Sequence, residues 1–153
     1  MDSDIVLKAV GKVKSPVVEP VDEGWGDVES ELHLEPQLAP GLQGLGSFSH
    51  IMVIFFLDRS TFDPSKDLVR RPKGRADVPP LGIFAQRARH RPNPIGITAV
   101  ELLGIEGNVV RVRGLDAIDG SPVLDIKPYF PIFDRVDRAS VPEWVHRVME
   151  GYF

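Results

Sequence analysis

Fourteen glycines and fourteen prolines are spread along this chain of 153 residues. Both residue types disfavour the interior of a helix, because glycine loses much conformational freedom there and proline lacks the backbone N–H that a helix uses. Tight turns, by contrast, depend on them. The chain is therefore expected to form short strands joined by turns, and its length suits a single domain with one core.

Segments in which apolar and β-branched residues run together, or alternate with polar ones, indicate where the strands lie. The apolar segment 48–57 is predicted to be a strand covered on both faces. Turns are expected at Gly107-Asn108 and at Asp119-Gly120, since these residue types tolerate a positive φ. The predicted strands are 5–13, 29–34, 48–57, 81–86, 95–103, 109–112 and 123–126. They predict a mostly β fold that closes, or nearly closes, into a barrel, with residues 58–80 as a long loop.

One helix is expected, near the C-terminus. Ser140 and Glu143 have the spacing of a capping box, in which the two side chains satisfy free N–H groups at the start of a helix. Gly151 is a typical residue for the end of such a helix. The residues that would form its apolar face are Trp144, Val145, Val148 and Met149.

The composition excludes several kinds of chemistry. Without cysteine the chain has no disulfides, thiolate metal ligands or cysteine nucleophiles. Its four histidines are scattered without the spacing of metal ligands, so we predict no metal site. No apolar run is long enough to span a bilayer, and the first residues lack the basic and apolar regions of a signal peptide. A cytoplasmic location is therefore expected.

The charge is unevenly distributed. The chain has a net charge of −4, but residues 70–91 contain seven basic side chains and one acid, so that segment is +6 and the rest of the chain is −10. A local basic surface can attract a polyanion even on an acidic protein, because salt screens distant charges within roughly 8–10 Å. The segment is equally compatible with a solvated, arginine-rich loop.

Three features in the second half of the chain are candidates for chemistry. The rigid loop 91–96, with the sequence Arg-Pro-Asn-Pro-Ile-Gly, could present backbone groups to an adenine edge or a carboxylate, or could be a stiff hairpin connection. Asp116 and Asp119 could form an acid–base pair or shape turns. Asp125 and Lys127 are expected to share a strand face as a partly buried ion pair. The common nucleotide-binding and nucleophile signatures are absent from the sequence.

Several of these motifs, taken together and in order, resemble the TrmO/TsaA-like family of S-adenosylmethionine-dependent tRNA methyltransferases. The resemblance extends over residues 4–131, and its central motifs are long and correctly spaced. The motifs are Ser15-Pro16, Gly44-Leu45, 48–50 (Phe-Ser-His), 82–87 (Gly-Ile-Phe-Ala-Gln-Arg), 91–96 and 114–129.

The resemblance implies a single-sheeted β-barrel, usually dimeric, that binds S-adenosylmethionine near the subunit interface. It implies one domain over residues 1–153, with the barrel at about 4–131 and a helical tail at about 140–151. The chain resembles a shorter branch of the family, without the additional C-terminal domain of longer members. Characterised members methylate N6-threonylcarbamoyladenosine in tRNA, so tRNA is the expected partner and a homodimer the expected assembly.

The resemblance also implies which residues form the site. The expected cofactor contacts are Asp58, Arg59, Arg87, Ile97, Leu115 and Asp116. Among these, Arg87 is the expected cofactor or substrate contact, and Ile97 is expected to pack on the cofactor. Asp58-Arg59 stand where many members have a histidine and a polar residue. The arginines expected to contact RNA phosphates are Arg70, Arg71, Arg89 and Arg91. No catalytic base is assigned.

Two other functions stay open. One is a methyltransferase of the same fold that acts on a small molecule or on another RNA, and the other is a non-catalytic module that binds S-adenosylmethionine. Trp25 is expected to be a core or interface aromatic residue rather than one that stacks on a base. The central hypothesis is geometric: the turns around Asn93 and Asp116 converge in space to hold an adenosyl sulfonium.

Overall fold

The computed structural model describes residues 3–153. Within this range the chain forms eight strands, three short α-helices and several 3-10 turns. The strands are β1 (Gly11–Lys14), β2 (Glu29–Leu34), β3 (His50–Phe56), β4 (Val69–Arg70), β5 (Leu81–Gly82), β6 (Ile95–Glu106), β7 (Val109–Arg113) and β8 (Pro122–Pro128). The helices are α1 (Pro64–Asp67), α2 (Pro131–Asp134) and α3 (Glu143–Met149).

The larger sheet is a closed antiparallel barrel in which the strands follow the order β1-β2-β7-β6-β3-β8. The longest strand, β6, pairs with β3 along its first half and with β7 along its second half. β4 and β5 form a separate two-stranded sheet. The predicted mostly β barrel is thus confirmed, and its sheet closes completely.

Alternate side chains of the barrel strands fill the interior. In β3, Ile51, Val53 and Phe55 are at most 2% exposed. Met52 and Ile54, which point outward between them, are half-buried. Of the two faces of this strand that were predicted to be covered, the inner face is buried and the outer face is only half-buried. Burial of each such inner side chain contributes about 1.5–3 kcal/mol to stability.

Close packing inside the barrel requires a glycine at position 96. Gly96 lies opposite Phe55 on the neighbouring strand, and a Cβ atom at position 96 would come within 2.5 Å of the Phe55 ring. A side chain therefore does not fit unless the ring moves. The glycine lets the ring lie across the start of β6, directly after the rigid loop at 91–94.

The strand predicted at 5–13 is mostly wrong, since only Gly11–Lys14 joins the barrel. A strand needs a neighbour that offers free N–H and C=O groups. The N–H of Val10 donates to Val123 O at 2.8 Å. The preceding residues Ile5–Leu7 do not pair with a strand and are exposed.

The strand predicted at 81–86 is also much shorter than expected. Only Leu81–Gly82 pairs with β4, and residues 83–85 form a 3-10 turn. The side-chain amide of Gln86 donates hydrogen bonds of 2.8 Å to Arg70 O and Leu81 O. The buried Gln86 side chain thus supplies hydrogen bonds to these two backbone carbonyl groups beside the short sheet. The backbone of residues 83–85 does not continue as a strand.

The C-terminal helix is confirmed, but its predicted capping box is wrong. α3 begins at Glu143 with Pro142 as its N-cap residue, and no side chain caps its first turn. Glu143 instead forms an ion pair with Arg147 one turn later. A carboxylate engaged in that direction does not reach back to the helix start. Within residues 3–153, none of the helices has the length and apolar character needed to cross a membrane.

Candidate functional site

The loops that hold the predicted site residues leave the barrel at one end. β3 ends beside the start of β6, where Phe56 pairs with Ile95, and β7 ends beside β6 as well. The connections at this end are 15–28, 57–94 and 114–121, and we call them together the rim. The turns around Asn93 and Asp116 both belong to the rim. Their predicted placement at the same end of the barrel therefore agrees with the topology.

Asp116 is the centre of a polar cluster on the rim. Its Oδ1 accepts a hydrogen bond from Thr98 Oγ1 at 2.5 Å, and its Oδ2 accepts one from the hydroxyl of Tyr152. Thr98 lies on β6, whereas Tyr152 belongs to the segment after α3. The two donors orient the half-buried carboxylate, and its remaining lone pairs can still accept hydrogen bonds from a ligand.

The Tyr152 hydroxyl is held in its protonated form. Burial raises the pKa of Tyr152 well above its ordinary value, and the negative charge of Asp116 and the hydrogen bond between them raise it further. The positive charge of Arg87 opposes this increase only partly. Tyr152 is therefore a hydrogen-bond donor at neutral pH, and the Asp116 carboxylate is the acceptor.

Arg87 lies near enough to this cluster for its positive charge to affect Tyr152. Its Nη2 donates to Ile97 O at 3.1 Å, and the rest of the side chain is exposed. The side chain of Ile97 is itself 45% exposed. A guanidinium group and the apolar Ile97 side chain thus lie at the start of β6. The next residue, Thr98, points to the opposite, inner face of the strand and holds the Asp116 carboxylate.

The other expected cofactor contacts occupy different positions. The Leu115 side chain is completely buried in the barrel core, so only the backbone at 115 is available to a ligand. Asp58 is exposed on the rim directly after β3. Arg59 Nη1 donates to Val18 O at 3.1 Å and contacts Glu19 Oε2 at 3.3 Å. Arg59 therefore braces the rim segment 15–28.

Asp119 shapes a turn. Its Oδ1 accepts the backbone N–H of Ser15 at 3.0 Å, and its own N–H donates to Val17 O at 2.8 Å. Gly120, which follows, has a φ of 83°. These contacts support the turn-forming role over the acid–base pair. They also place Ser15-Pro16 beside the Asp116 loop.

The rigid loop at 91–96 is stabilised by its own arginine. Arg91 Nη1 donates to Gln86 O at 2.9 Å and to Ala88 O at 3.1 Å. Pro94 O accepts the N–H of Leu57 at 2.7 Å, which ties the end of β3 to the loop. The loop is thus a stiff connection that also presents Asn93 on the surface.

The basic segment is less available than its charge suggests. Arg70 pairs with Asp67 at 3.0 Å, and Arg71 donates to the carbonyl groups of Ala76 and Val78. Arg75 pairs with Asp77 at 2.8 Å. Much of this charge therefore stabilises the loop itself. In the part of the chain that the structure describes, Arg89 makes no side-chain hydrogen bond or ion pair.

The segment after α3 returns to the rim and forms part of it. Trp25 N–H donates to Tyr152 O at 2.8 Å, and Gly24 N–H donates to Gly151 O at 2.9 Å. Trp25 is 2% exposed, which confirms that it is a core residue. Lys73 Nζ lies 5.6 Å from the centre of the Tyr152 ring. Sequence reasoning missed Tyr152, because it follows the predicted helix end at Gly151 and belongs to no recognised motif.

Two clefts lie close to the rim. One, of about 900 Å³, is lined by residues 21–24, Lys73, Arg75, the α3 residues Arg147 and Val148, and the following Glu150 and Gly151. The other, of about 430 Å³, is lined by residues 14–16, 29–31, Leu103 and Arg111. The turns around Asn93 and Asp116 line neither of these two clefts; Asn93 is exposed and Asp116 is half-buried. Among residues 3–153, no three His, Asp or Glu side chains are grouped as a metal site.

The fold and the rim define a class: small closed β-barrels with long loops and a polar side-chain cluster at one end. The family within that class follows from a family model. Residues 18–135 match the tRNA-methyltransferase O N-terminal domain, and the chain belongs to this family. The family resemblance seen in the sequence motifs is thereby confirmed.

Two relatives and one solved structure illustrate the similarity. An S-adenosyl-L-methionine-binding protein of Archaeoglobus fulgidus is 38% identical over 140 residues, which cover 89% of this chain and 97% of that protein. The tRNA (adenine(37)-N6)-methyltransferase of Escherichia coli is 34% identical over 149 residues, with 90% of this chain and 63% of the relative covered. The crystal structure of TrmO from P. aeruginosa matches with a TM-score of 0.76 and 30% identity over 93% of this chain. This chain spans 62% of that TrmO chain.

Proposed function

We propose that this protein is a cytoplasmic S-adenosylmethionine-dependent methyltransferase that acts on tRNA and methylates N6 of threonylcarbamoyladenosine. Membership of the family and the similarity to the E. coli enzyme support this proposal. The observation that carries it is the group of polar contacts at the start of β6, where Thr98 holds the Asp116 carboxylate and the adjacent Ile97 carbonyl group holds the exposed Arg87 side chain.

The residues of the rim fit the chemical groups of S-adenosylmethionine. The Asp116 carboxylate has lone pairs for hydroxyl or amino groups, and the exposed N–H groups of Arg87 suit a carboxylate. The exposed side chain of Ile97 offers an apolar surface for a purine ring or the methionine chain. When bound, the cofactor supplies a methyl group that its sulfonium already activates. The task of these residues is then to hold the methyl group in line with its acceptor, which is worth up to about 7–11 kcal/mol in the best intramolecular models.

We propose that the working form is a homodimer whose second copy covers this site. In a single chain Arg87 is exposed, and the outward-facing Phe56, Ile95 and Ile97 side chains at the same end of the barrel are 36%, 40% and 45% exposed. Phe56 and Ile95 are paired across β3 and β6, so these side chains form one apolar strip along the rim. Burial of such a strip would exclude water from the cofactor, which strengthens the polar contacts around it.

For RNA binding we propose a role for the predicted arginines that takes account of their contacts. Arg71 and Arg91 donate to loop carbonyl groups, and Arg70 pairs with Asp67, so all three order the loop. Arg89 has no such partner within residues 3–153 and is the best placed of the four to bind a phosphate. The three structural arginines keep their positive charge and would contribute to the local field.

A second function is favoured by one observation. The A. fulgidus relative, whose length this chain matches over 97%, is named for S-adenosyl-L-methionine binding alone. A binding module without methyl transfer, or a methyltransferase that acts on a small molecule or another RNA, would use the same rim.

A methyl-transfer assay separates these functions. The purified protein is incubated with methyl-labelled S-adenosylmethionine and either threonylcarbamoylated tRNA or the same tRNA without this modification, followed by nucleoside analysis. The proposal predicts label on the modified adenosine of the first tRNA and none on the second. Binding of the cofactor without transfer to any RNA or metabolite pool would contradict the enzyme and favour the binding module.

A further inference from the structure

Tyr152 contributes a hydroxyl group to the proposed site, and the proposed function does not yet give this group a role. Its hydroxyl donates to Asp116 Oδ2, on the opposite side of the carboxylate from Thr98, which donates to Oδ1. Thr98 is part of the barrel and is fixed by β6. Tyr152 comes from outside the barrel, and none of the sequence motifs that define the family includes it.

The segment that holds Tyr152 is fastened from two directions. Its backbone bonds to Gly24 and Trp25 of the rim, with distances of 2.9 and 2.8 Å. Lys73 Nζ donates to Val148 O at 2.6 Å, and the same ammonium group lies near the Tyr152 ring. The position of the hydroxyl is therefore set by contacts that do not depend on Asp116.

Tyr152 is suited to orient a carboxylate and not to exchange a proton with it. Burial and the charge of Asp116 keep the phenol protonated, so the hydrogen bond keeps one direction, from Tyr152 to Asp116. With a donor on each oxygen, rotation of the carboxylate about its Cβ–Cγ bond would break both hydrogen bonds. Hydrogen bonds to a charged acceptor are the stronger ones.

We propose that Tyr152 is a positioning residue for the cofactor site, which holds the Asp116 carboxylate in the orientation that receives S-adenosylmethionine. This inference rests on the proposed function, because it takes Asp116 to be a cofactor contact. It gives the segment after α3 a part in cofactor binding, so that both the barrel and this segment contribute residues to the site.

The test is equilibrium dialysis of the full chain against labelled S-adenosylmethionine. Tyr152→Phe keeps the ring, with its packing on Phe153 and Lys73, and removes only the hydroxyl. We expect the Kd to rise about tenfold, because the Asp116 carboxylate would no longer be held in one orientation, and the loss of this internal hydrogen bond should lower the melting temperature by only a few degrees. Tyr129→Phe is the matched control: Tyr129 is the other of the two tyrosines and lies at the opposite end of the barrel, where its N–H donates to His50 O. Its Kd should equal that of the wild type.

A double-mutant cycle distinguishes positioning from a general structural role. If Tyr152 acts through Asp116, then in an Asp116→Ala background Tyr152→Phe should change the Kd by less than about twofold. An equal loss in both backgrounds would overturn the inference, as would wild-type affinity of Tyr152→Phe. Should Tyr152→Phe not fold, Tyr152→His, which keeps a ring and a donor, replaces it and should bind more tightly than Tyr152→Leu. Failure of the wild type itself to bind the cofactor would instead contradict the proposed function.

Discussion

Arg87 and Asp116 differ in how firmly the protein holds them. Asp116 accepts hydrogen bonds on both carboxylate oxygens, whereas Arg87 is held by one bond of 3.1 Å to the backbone of Ile97. A side chain with a single weak restraint can adjust to a ligand at little cost. A carboxylate with two donors is already in place before the ligand arrives. The rim thus combines a preorganised acceptor with an adaptable donor.

Replacement of Arg87 tests whether this residue is the adaptable donor that binds the cofactor. Arg87→Ala should raise the Kd for S-adenosylmethionine about tenfold or more, because a charge-assisted contact is lost, while the melting temperature stays within a few degrees of the wild type. Arg138→Ala is a matched control, since Arg138 is exposed and makes no ion pair within residues 3–153. Calorimetric titration of both variants provides the comparison. Cofactor binding by Arg87→Ala as tight as by Arg138→Ala would argue against the assignment.

Among the elements, β6 contributes most to the site. Its start supplies the Ile97 carbonyl group, the exposed Ile97 side chain and the Thr98 hydroxyl, and its pairing with β3 and β7 brings the loops 57–94 and 114–121 together. The Phe55 ring packs directly against the backbone of Gly96 and thereby fixes the position of the first residues of β6 after the rigid loop. Small shifts of this strand would therefore move several site groups at once.

Two glycines of β6 provide a test at this scale. Gly96→Ala should lower the free energy of unfolding by about 1–3 kcal/mol, because its methyl group would overlap the Phe55 ring, 2.5 Å from the ideal Cβ position. Gly104→Ala places the same methyl group on the same strand with its nearest neighbour, Arg111 Nη2, at 3.8 Å, and should be close to neutral. Urea unfolding at 25 °C measures both. Equal stability of the two variants would show that Phe55 does not restrict position 96.

The elements also show what a sequence can predict. The strands at 29–34, 95–103 and 109–112 were predictable because their patterns reflect burial inside the barrel. The start of α3 and the 3-10 turn at 83–85 were not, since they depend on where the side chains of Glu143 and Gln86 find partners. The predicted Asp125–Lys127 pair exists, with Nζ and Oδ2 2.9 Å apart, but it is largely exposed, because the outer face of β8 is open there.

The same distinction applies to the site. Arg87, Ile97 and Asp116 were named from motifs, and the structure places Arg87 and Asp116 on loops of the rim and Ile97 at the adjoining start of β6. Tyr152 escaped prediction because its role depends on a tertiary contact between the end of the described chain and the loop at Gly24-Trp25. Conversely, Leu115 belongs to a motif, yet its side chain is buried in the core. A motif locates a loop, but the contacts decide which of its side chains face a ligand.

At the scale of the whole molecule, the basic side chains of segment 70–91 stabilise two parts of the structure. The ion pairs and carbonyl contacts of Arg70, Arg71 and Arg75 hold the long connection between β3 and β6 in shape. That connection, through Lys73 and Arg75, in turn holds the end of α3 and the Tyr152 segment on the rim. The basic segment is thus coupled to the proposed cofactor site by direct contacts, and an RNA bound to it would lie close to that site.

The central claim is that the rim binds S-adenosylmethionine between the turns around Asn93 and Asp116. A crystal structure of the full chain grown with the cofactor tests it most directly. The account predicts the cofactor in contact with Asp116, Arg87 and Ile97, with Tyr152 still bonded to Asp116. Cofactor bound instead in the cleft between residues 21–24 and 147–151, or in the one beside 14–16, with the Asp116 carboxylate left facing solvent, would contradict it.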